Sequence, residues 1–115
     1  MSPYSHGVSV PAGMRIVTTA GQVGITKDGV VPASVGEQLD LIWANTAAIL
    51  ADDGLKLSDI TSIRGYIVCR DAVPAYRAAF RKYLGDVNPT STLIVVKELV
   101  APSLLVEIEV VAAGH

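Results

Sequence analysis

The sequence is poor in the residues that most catalytic centres use. Its one cysteine, Cys69, excludes an intrachain disulfide and fits a reducing compartment. Its two histidines, His6 and His115, lie far apart in the sequence, so neither a metal-ligand cluster nor a Ser-His-Asp or Cys-His arrangement is indicated. No glycine-rich phosphate loop precedes a helix. We therefore expect no metal and no cofactor.

Charge and long apolar runs are also scarce. Charged residues make up 17% of the chain, the net charge is −2, and lysines and arginines form no run. This pattern lacks the basic patch that nucleic acids and anionic membranes attract. No apolar stretch is long enough to span a bilayer, and the N-terminal residues do not follow the signal-peptide pattern. We expect a cytoplasmic protein with neither a nucleic-acid partner nor a membrane partner.

Aliphatic residues, in contrast, are abundant. Half of the 115 residues are hydrophobic and the mean hydropathy is +0.45, although aromatic residues are only 5%. This length predicts one domain over residues 1–115 with one core. A core of that size cannot bury so much aliphatic surface, which predicts a homo-oligomer with pockets between its subunits.

The residue patterns predict the element order β-β-α-β-α-β-β. A capping box at Ser34 and Glu37 begins the first helix and Gly54 ends it; Asp71 caps the second helix and Gly85 ends it. This order predicts an α+β two-layer sandwich, in which two helices cover one face of a mixed sheet. Alternating or β-branched patterns predict five strands, namely Ser5–Val10, Arg15–Ala20, Ile60–Arg70, Ser91–Lys97 and Leu104–Ala112.

Glu107 is the residue in the last strand that needs an explanation. Alternation places it with Glu109 on one face of the strand, opposite an apolar face. A carboxylate between leucine and valine in a sheet is costly to bury without a partner or a task. It could position a water as a general acid or base, or it could form a salt bridge or cap backbone amides. Glu109 is interpreted as solvated or ion-paired.

Two other residues could suggest chemistry but have simpler explanations. Trp43 lies on the apolar stripe of the first helix, which indicates a core or interface position rather than a ligand platform. Cys69 lies among apolar neighbours on a strand, which indicates a small buried side chain rather than a nucleophile.

Several segments, in this order, resemble the RidA/YjgF family, also labelled endoribonuclease L-PSP. The resemblance covers essentially the whole chain, and its most diagnostic part is the LVEIE sequence that includes Glu107. The segments are Pro3–His6 (PYSH), Ala20–Gln22 (AGQ), the helix Leu41–Gly54, the strand end Val68–Asp71 and Leu105–Val110 (LVEIEV).

This resemblance implies a chorismate-mutase-like α+β fold and a homotrimer that binds a small metabolite in intersubunit clefts. It also implies hydrolysis of reactive enamines and imines, such as 2-aminoacrylate, to a keto acid and ammonia. Glu107 would then be the catalytic carboxylate that positions water. The implied substrate-binding residues are Tyr4, Ala20, Gly21, Thr90, Ser91 and Thr92.

The chain departs from the family pattern at Thr90. The RidA branch has arginine there, whose fork holds the substrate carboxylate through two hydrogen bonds. Threonine cannot supply that clamp, whose loss costs roughly 2–5 kcal/mol, or about thirtyfold to several thousandfold in affinity. Arg70 and Lys97 are candidates to replace it.

Three hypotheses about function follow. The first is a hydrolase or deaminase of an arginine-lacking branch, whose substrate is uncharged or differently anchored. The second is a trimer that binds a metabolite without catalysis. The third is a ribonuclease, which the acidic pI of about 5.5 disfavours.

Overall fold

The computed structural model describes residues 4–115 and contains one mixed sheet with two helices on one of its faces. The predicted two-layer α+β architecture and element order are confirmed. The strands are β1 (Arg15–Thr18), β2 (Gln22–Val23), β3 (Ile60–Ile67), β4 (Thr90–Val95) and β5 (Val106–Gly114); the helices are α1 (Val35–Asp52) and α2 (Val73–Leu84); short 3₁₀ turns cover Leu57–Asp59 and Arg70–Ala72.

The strand order places β5 in the middle of the sheet. It pairs antiparallel with β3 on one side and with β1 and β2 on the other, while β4 lies parallel to β3 at the edge. Although β4 and β5 follow one another in the sequence, they are therefore not neighbours in the sheet. Residues 96–105 carry the chain past the end of β3, where the Val96 amide donates to Ile67 and the Val68 amide donates to Leu105.

The core lies between the sheet and the helices. Val106, Ile108 and Val110 point into it from β5 and are at most 2% exposed, as the alternation in the sequence predicted. Trp43 of α1 is also buried, and its ring stacks on Tyr83 of α2 at 5.9 Å between centroids. The core position of Trp43 is thereby confirmed. The opposite sheet face, called here the outer face, is covered by no other element of residues 4–115.

Gln38, a buried polar residue of α1, hydrogen-bonds to the segment before α1 and to the segment before β5. Its Nε2 donates to the carbonyls of Pro32 at 2.8 Å and Ser103 at 3.0 Å, and its Oε1 accepts from the Leu105 amide at 2.9 Å. The backbone at Gly24 packs so closely on Gln38 that a Cβ there would lie 2.5 Å from the Gln38 Cα. Gln38 thus fixes both the end of β2 and the entry to β5.

The predicted strand Ser5–Val10 is wrong. Those residues form no regular element. The strand predicted as the second in the chain is observed as β1, and the strand that follows it is the short β2, which was not predicted. The segment is held at the Ser5 amide and hydroxyl, which donate to the carbonyls of Pro89 and Asn88. Because most of its side chains are exposed, it has no apolar face to bury against the sheet.

The chain after β3 also differs from the prediction. β3 ends at Ile67, and α2 begins at Val73 with Ala72 rather than Asp71 as its N-cap, because a 3₁₀ turn intervenes. Cys69 precedes that turn and is exposed, so its predicted burial is wrong. The predicted glycine ends are confirmed: Gly54 and Gly85 follow α1 and α2 with φ of 78° and 55°. Neither helix is long and apolar enough to cross a membrane.

Candidate functional site

The side chain of Glu107 lies across Gly21. Glu107 pairs with Val23 of β2 and Tyr66 of β3, so its carboxylate projects from the outer face between these two strands. A Cβ built on Gly21 would lie 2.7 Å from the Glu107 Cδ, and any larger residue at 21 would displace the carboxylate. Glu107 is half-buried, and no side chain of residues 4–115 hydrogen-bonds to its carboxylate. The carboxylate is therefore available to a water or a ligand.

Glu109 has a partner on the neighbouring strand. The Tyr66 hydroxyl donates to the Glu109 Oε1 at 2.6 Å, and neither ion pair found in residues 4–115 involves Glu109. Of the two alternatives for Glu109, the ion pair is not found in residues 4–115, whereas the half-buried carboxylate also lines a hollow that is open to solvent. This hydrogen bond is the largest cause that raises the pKa of Tyr66, because the phenolate would lie against a carboxylate.

Glu109→Gln is expected to lower the pKa of Tyr66 towards its ordinary value, because the amide removes the negative charge but can still accept a hydrogen bond. Absorbance titration of the phenol, taken as the difference from Tyr66→Phe, measures this pKa. Glu98→Gln, on the exposed connection after β4, is the control and should leave it unchanged. An equal shift in both variants would mean that the Tyr66–Glu109 hydrogen bond is not the cause.

The other predicted binding residues lie at the edge of the sheet. Thr90, Ser91 and Thr92 begin β4, and the Thr90 hydroxyl donates to the Thr61 carbonyl at 3.3 Å. Tyr4 is held next to them because its neighbour Ser5 is bound to Asn88 and Pro89. Tyr4 is 39% exposed, and its ring meets the His6 ring edge-on at 5.4 Å between centroids.

Within one chain, the predicted site residues thus form two separate groups. Thr90 pairs with Ser62 on β3, which pairs with Val111 on β5, four residues along the strand from Glu107. With strand rises of ~3.3 Å and strand spacings of ~4.8 Å, Thr90 and Glu107 lie roughly 16 Å apart. One group is Ala20, Gly21 and Glu107; the other is Tyr4, Thr90, Ser91 and Thr92.

Neither predicted replacement for the arginine lies near Thr90 in the same chain. Arg70 and Lys97 follow the C-terminal ends of the parallel strands β3 and β4, whereas Thr90 begins β4. Sequence reasoning gave no role to Arg64, which pairs with Thr92 on one side and Glu109 on the other. The available signal was the alternation of β3, which puts Arg64 and Tyr66 on the same face.

The part of the chain from residue 4 onward brings together no group of three His, Cys, Asp or Glu side chains that could hold a metal ion. The chemistry that the described site can offer is therefore that of carboxylates, hydroxyls, a guanidinium and backbone groups. Glu107 is the group best placed to exchange a proton with a bound water.

Comparison with known proteins identifies the family. The family model described as Endoribonuclease L-PSP matches residues 1–114. The chain belongs to this family, the RidA/YjgF family. A RutC family protein of Aquifex aeolicus is 33% identical over an alignment of 115 positions, which covers 97% of this chain and 89% of that protein. The resemblance drawn from the sequence motifs is thereby confirmed.

Solved structures of RidA/YjgF proteins share the fold. The Rid-family protein YyfB of Yersinia pestis superposes with a TM-score of 0.84 at 29% identity, covering 95% of this chain and 85% of that one. E. coli TdcF, crystallised with bound serine, superposes with a TM-score of 0.82 at 25% identity, covering 99% and 94%. The α+β sandwich described above is therefore the Rid fold.

Proposed function

We propose that this RidA/YjgF protein hydrolyses a C–N bond of a small enamine or imine, in clefts between the subunits of a homotrimer. The observation that carries the proposal is the Glu107 carboxylate, which lies over Gly21 with no hydrogen-bonding side chain in residues 4–115. A carboxylate in that position can hold a water against a bound ligand. The single cysteine favours a reducing compartment, and we assign the protein to the cytoplasm.

The proposed reaction needs one water and one group that moves protons. Glu107 takes one proton from the water as its oxygen adds to the imine carbon and passes this proton to the nitrogen, which gives a neutral tetrahedral carbinolamine. Glu107 then takes the proton of the carbinolamine hydroxyl and delivers it to the nitrogen as the C–N bond breaks. The products are a carbonyl compound and ammonia, so the imine and water are fully accounted for.

The separation of the site into two groups supports an intersubunit cleft. Glu107 and Gly21 lie where β2 pairs with β5, whereas Tyr4 and Thr90 lie at the β4 edge, too far away to touch the same small ligand. Association through the outer face would join one group to the other group of a second copy. Apolar side chains on that face favour association, because Ile16 is 62% exposed and Ile94 is 45% exposed.

The test is a set of imines with and without a carboxylate, including 2-aminoacrylate and 2-iminobutyrate, assayed for release of ammonia and the carbonyl product. We expect the protein to hydrolyse at least one of them faster than it decays in buffer. The oligomeric state is measured on the same preparation by light scattering. If no imine is accelerated by a correctly folded trimer, the proposed reaction is wrong.

Thr90→Arg is expected to favour imines that carry a carboxylate. A guanidinium at this position adds charge-assisted hydrogen bonds, worth about 1.5–3 kcal/mol, and should raise kcat/KM about tenfold or more. Thr90→Met, of comparable length but uncharged, is the control and should give no gain. An equal gain for imines without a carboxylate would contradict this account of position 90.

A second candidate is a metabolite-binding homotrimer without catalysis. It is favoured by the bound serine in TdcF, a structural neighbour at 25% identity. This candidate predicts saturable binding of a small amino acid or keto acid without release of product. The ribonuclease hypothesis has the family label in its favour but is opposed by the net charge of −2.

A further inference from the structure

Arg64 is a cation on the outer face to which no carboxylate of residues 4–115 is bound. The ion pairs found in residues 4–115 are Arg15 with Asp53 and Lys82 with Asp40. Arg64 is exposed, although Glu109 is its direct cross-strand partner on β5. Such pairs usually attract each other, so the lack of an ion pair needs a reason.

The reason is that Tyr66 holds the Glu109 carboxylate. The Tyr66 hydroxyl lies 2.6 Å from the Glu109 Oε1, which directs Glu109 along the strand towards Tyr66. The guanidinium of Arg64 therefore keeps its donors for another anion. Five N–H groups in a planar fork match a carboxylate better than any other side chain does.

Arg64 also lines a hollow of suitable size and chemistry. The hollow has a volume of about 250 Å³ and opens on the outer face. At ~30 Å³ per water this is room for about eight waters, or for an organic acid of a few carbon atoms. Its hydroxyls can add hydrogen bonds to an anion. Its lining residues are Thr18, Thr19, Ser62, Arg64, Glu109 and the pair Val110 and Val111.

We propose that Arg64 anchors the carboxylate of a small 2-imino or 2-oxo acid in this hollow, in place of the arginine that Thr90 lacks. The substrate class is then an imino acid held from β3 instead of β4. This inference rests on the proposed function for the identity of the ligand. The hollow, the free guanidinium and the Tyr66–Glu109 hydrogen bond stand without it.

Arg64 lies on the same sheet face as Glu107. Arg64 pairs with Glu109, so Glu107 is its diagonal neighbour two residues along β5. Diagonal neighbours on one sheet face lie about 7–8 Å apart. Glu107 does not line the hollow, and the Tyr66–Glu109 hydrogen bond crosses the diagonal from Arg64 to Glu107, so a ligand on the guanidinium has to extend past this bond to meet a water held by Glu107. Arg70 and Lys97, beyond the strand ends, have no such spacing.

The experiment measures binding rather than turnover. Pyruvate and its neutral amide, pyruvamide, are titrated into the full-length protein and followed by NMR of the backbone amides. We expect pyruvate to bind and pyruvamide to bind at least tenfold more weakly. Arg64→Gln should weaken pyruvate about 10- to 100-fold, and Arg64→Lys, which keeps the charge but loses the fork, should weaken it less.

Arg70→Gln is the matched control, because it removes an exposed arginine from the 3₁₀ turn after β3. It should bind pyruvate as the wild type does, and all variants should keep the wild-type molecular mass. Wild-type pyruvate binding by Arg64→Gln would overturn the inference, as would equal binding of pyruvate and pyruvamide. Dissociation of the assembly in Arg64→Gln would also overturn it, since Arg64 would then bind a neighbouring copy.

The outcome is separable from that of the proposed function. If the protein hydrolyses an imine but Arg64→Gln binds pyruvate as the wild type does, the proposed hydrolase function stands and the proposed role of Arg64 is wrong. If pyruvate binding requires Arg64 but no imine is hydrolysed faster than in buffer, the role of Arg64 stands and the protein is a binding protein without the proposed activity.

Discussion

Glu107→Gln is expected to lower kcat/KM for the best imine substrate about 10²- to 10⁴-fold, the usual contribution of a positioned general acid or base. Glutamine has nearly the same shape as glutamate, so it can still lie across Gly21. It cannot take a proton from water at neutral pH. Steady-state release of ammonia, measured beside the uncatalysed rate, gives the effect.

The interpretation requires that only the chemistry changes. Glu107 is half-buried and hydrogen-bonds to no side chain in residues 4–115, so the unfolding midpoint of Glu107→Gln should stay close to that of the wild type. Glu98→Gln, on the exposed connection between β4 and β5, should keep the full rate. A wild-type rate in a Glu107→Gln variant that keeps the wild-type fold and molecular mass would remove Glu107 from the mechanism.

Local sequence signals predicted the parts of the fold that local interactions determine. The Ser34 N-cap at the start of α1 forms as expected, because the Ser34 hydroxyl accepts from the Glu37 amide at 3.1 Å. Glu37 does reach back to Ser34, but its carboxylate accepts from the Ser34 hydroxyl at 3.1 Å and not from the Ser34 amide that a capping box uses. Alternation along β5 correctly separated the core side chains from Glu107 and Glu109. The family resemblance, rather than a local pattern, implied Gly21 as a binding residue, and the structure places Gly21 under Glu107.

The incorrect predictions concern contacts between distant segments. Nothing in the residues around Thr90 indicates that β3 lies between β4 and β5, because strand order depends on how residues 96–105 pass the sheet. Cys69 looked buried because the β3 pattern was extended to Arg70, whereas β3 ends at Ile67 and a 3₁₀ turn begins at Arg70. The split of the site into two groups follows from the strand order, and the sequence alone could not provide it.

Gln38→Met is expected to lower the free energy of unfolding by about 2–4 kcal/mol. Methionine fills a similar volume but removes three hydrogen bonds. The carbonyls of Pro32 and Ser103 and the amide of Leu105 then lose their bonds to Gln38, which is 0% exposed. For a chain of this length, about 4 °C in Tm corresponds to 1 kcal/mol, so Tm should fall by about 8–16 °C.

The matched control is Gln22→Met, because Gln22 is the other glutamine of the chain. Its side chain makes one local hydrogen bond, from Nε2 to the Ala20 carbonyl at 3.1 Å, and is half-buried. Its loss should cost about 1 kcal/mol or less. Both variants are unfolded in urea. If the slope of the unfolding free energy against urea concentration is the same in both, the difference between their midpoints reports a difference in stability. Equal midpoints for the two variants would mean that the hydrogen bonds of Gln38, including the one from the Leu105 amide just before β5, do not stabilise the fold.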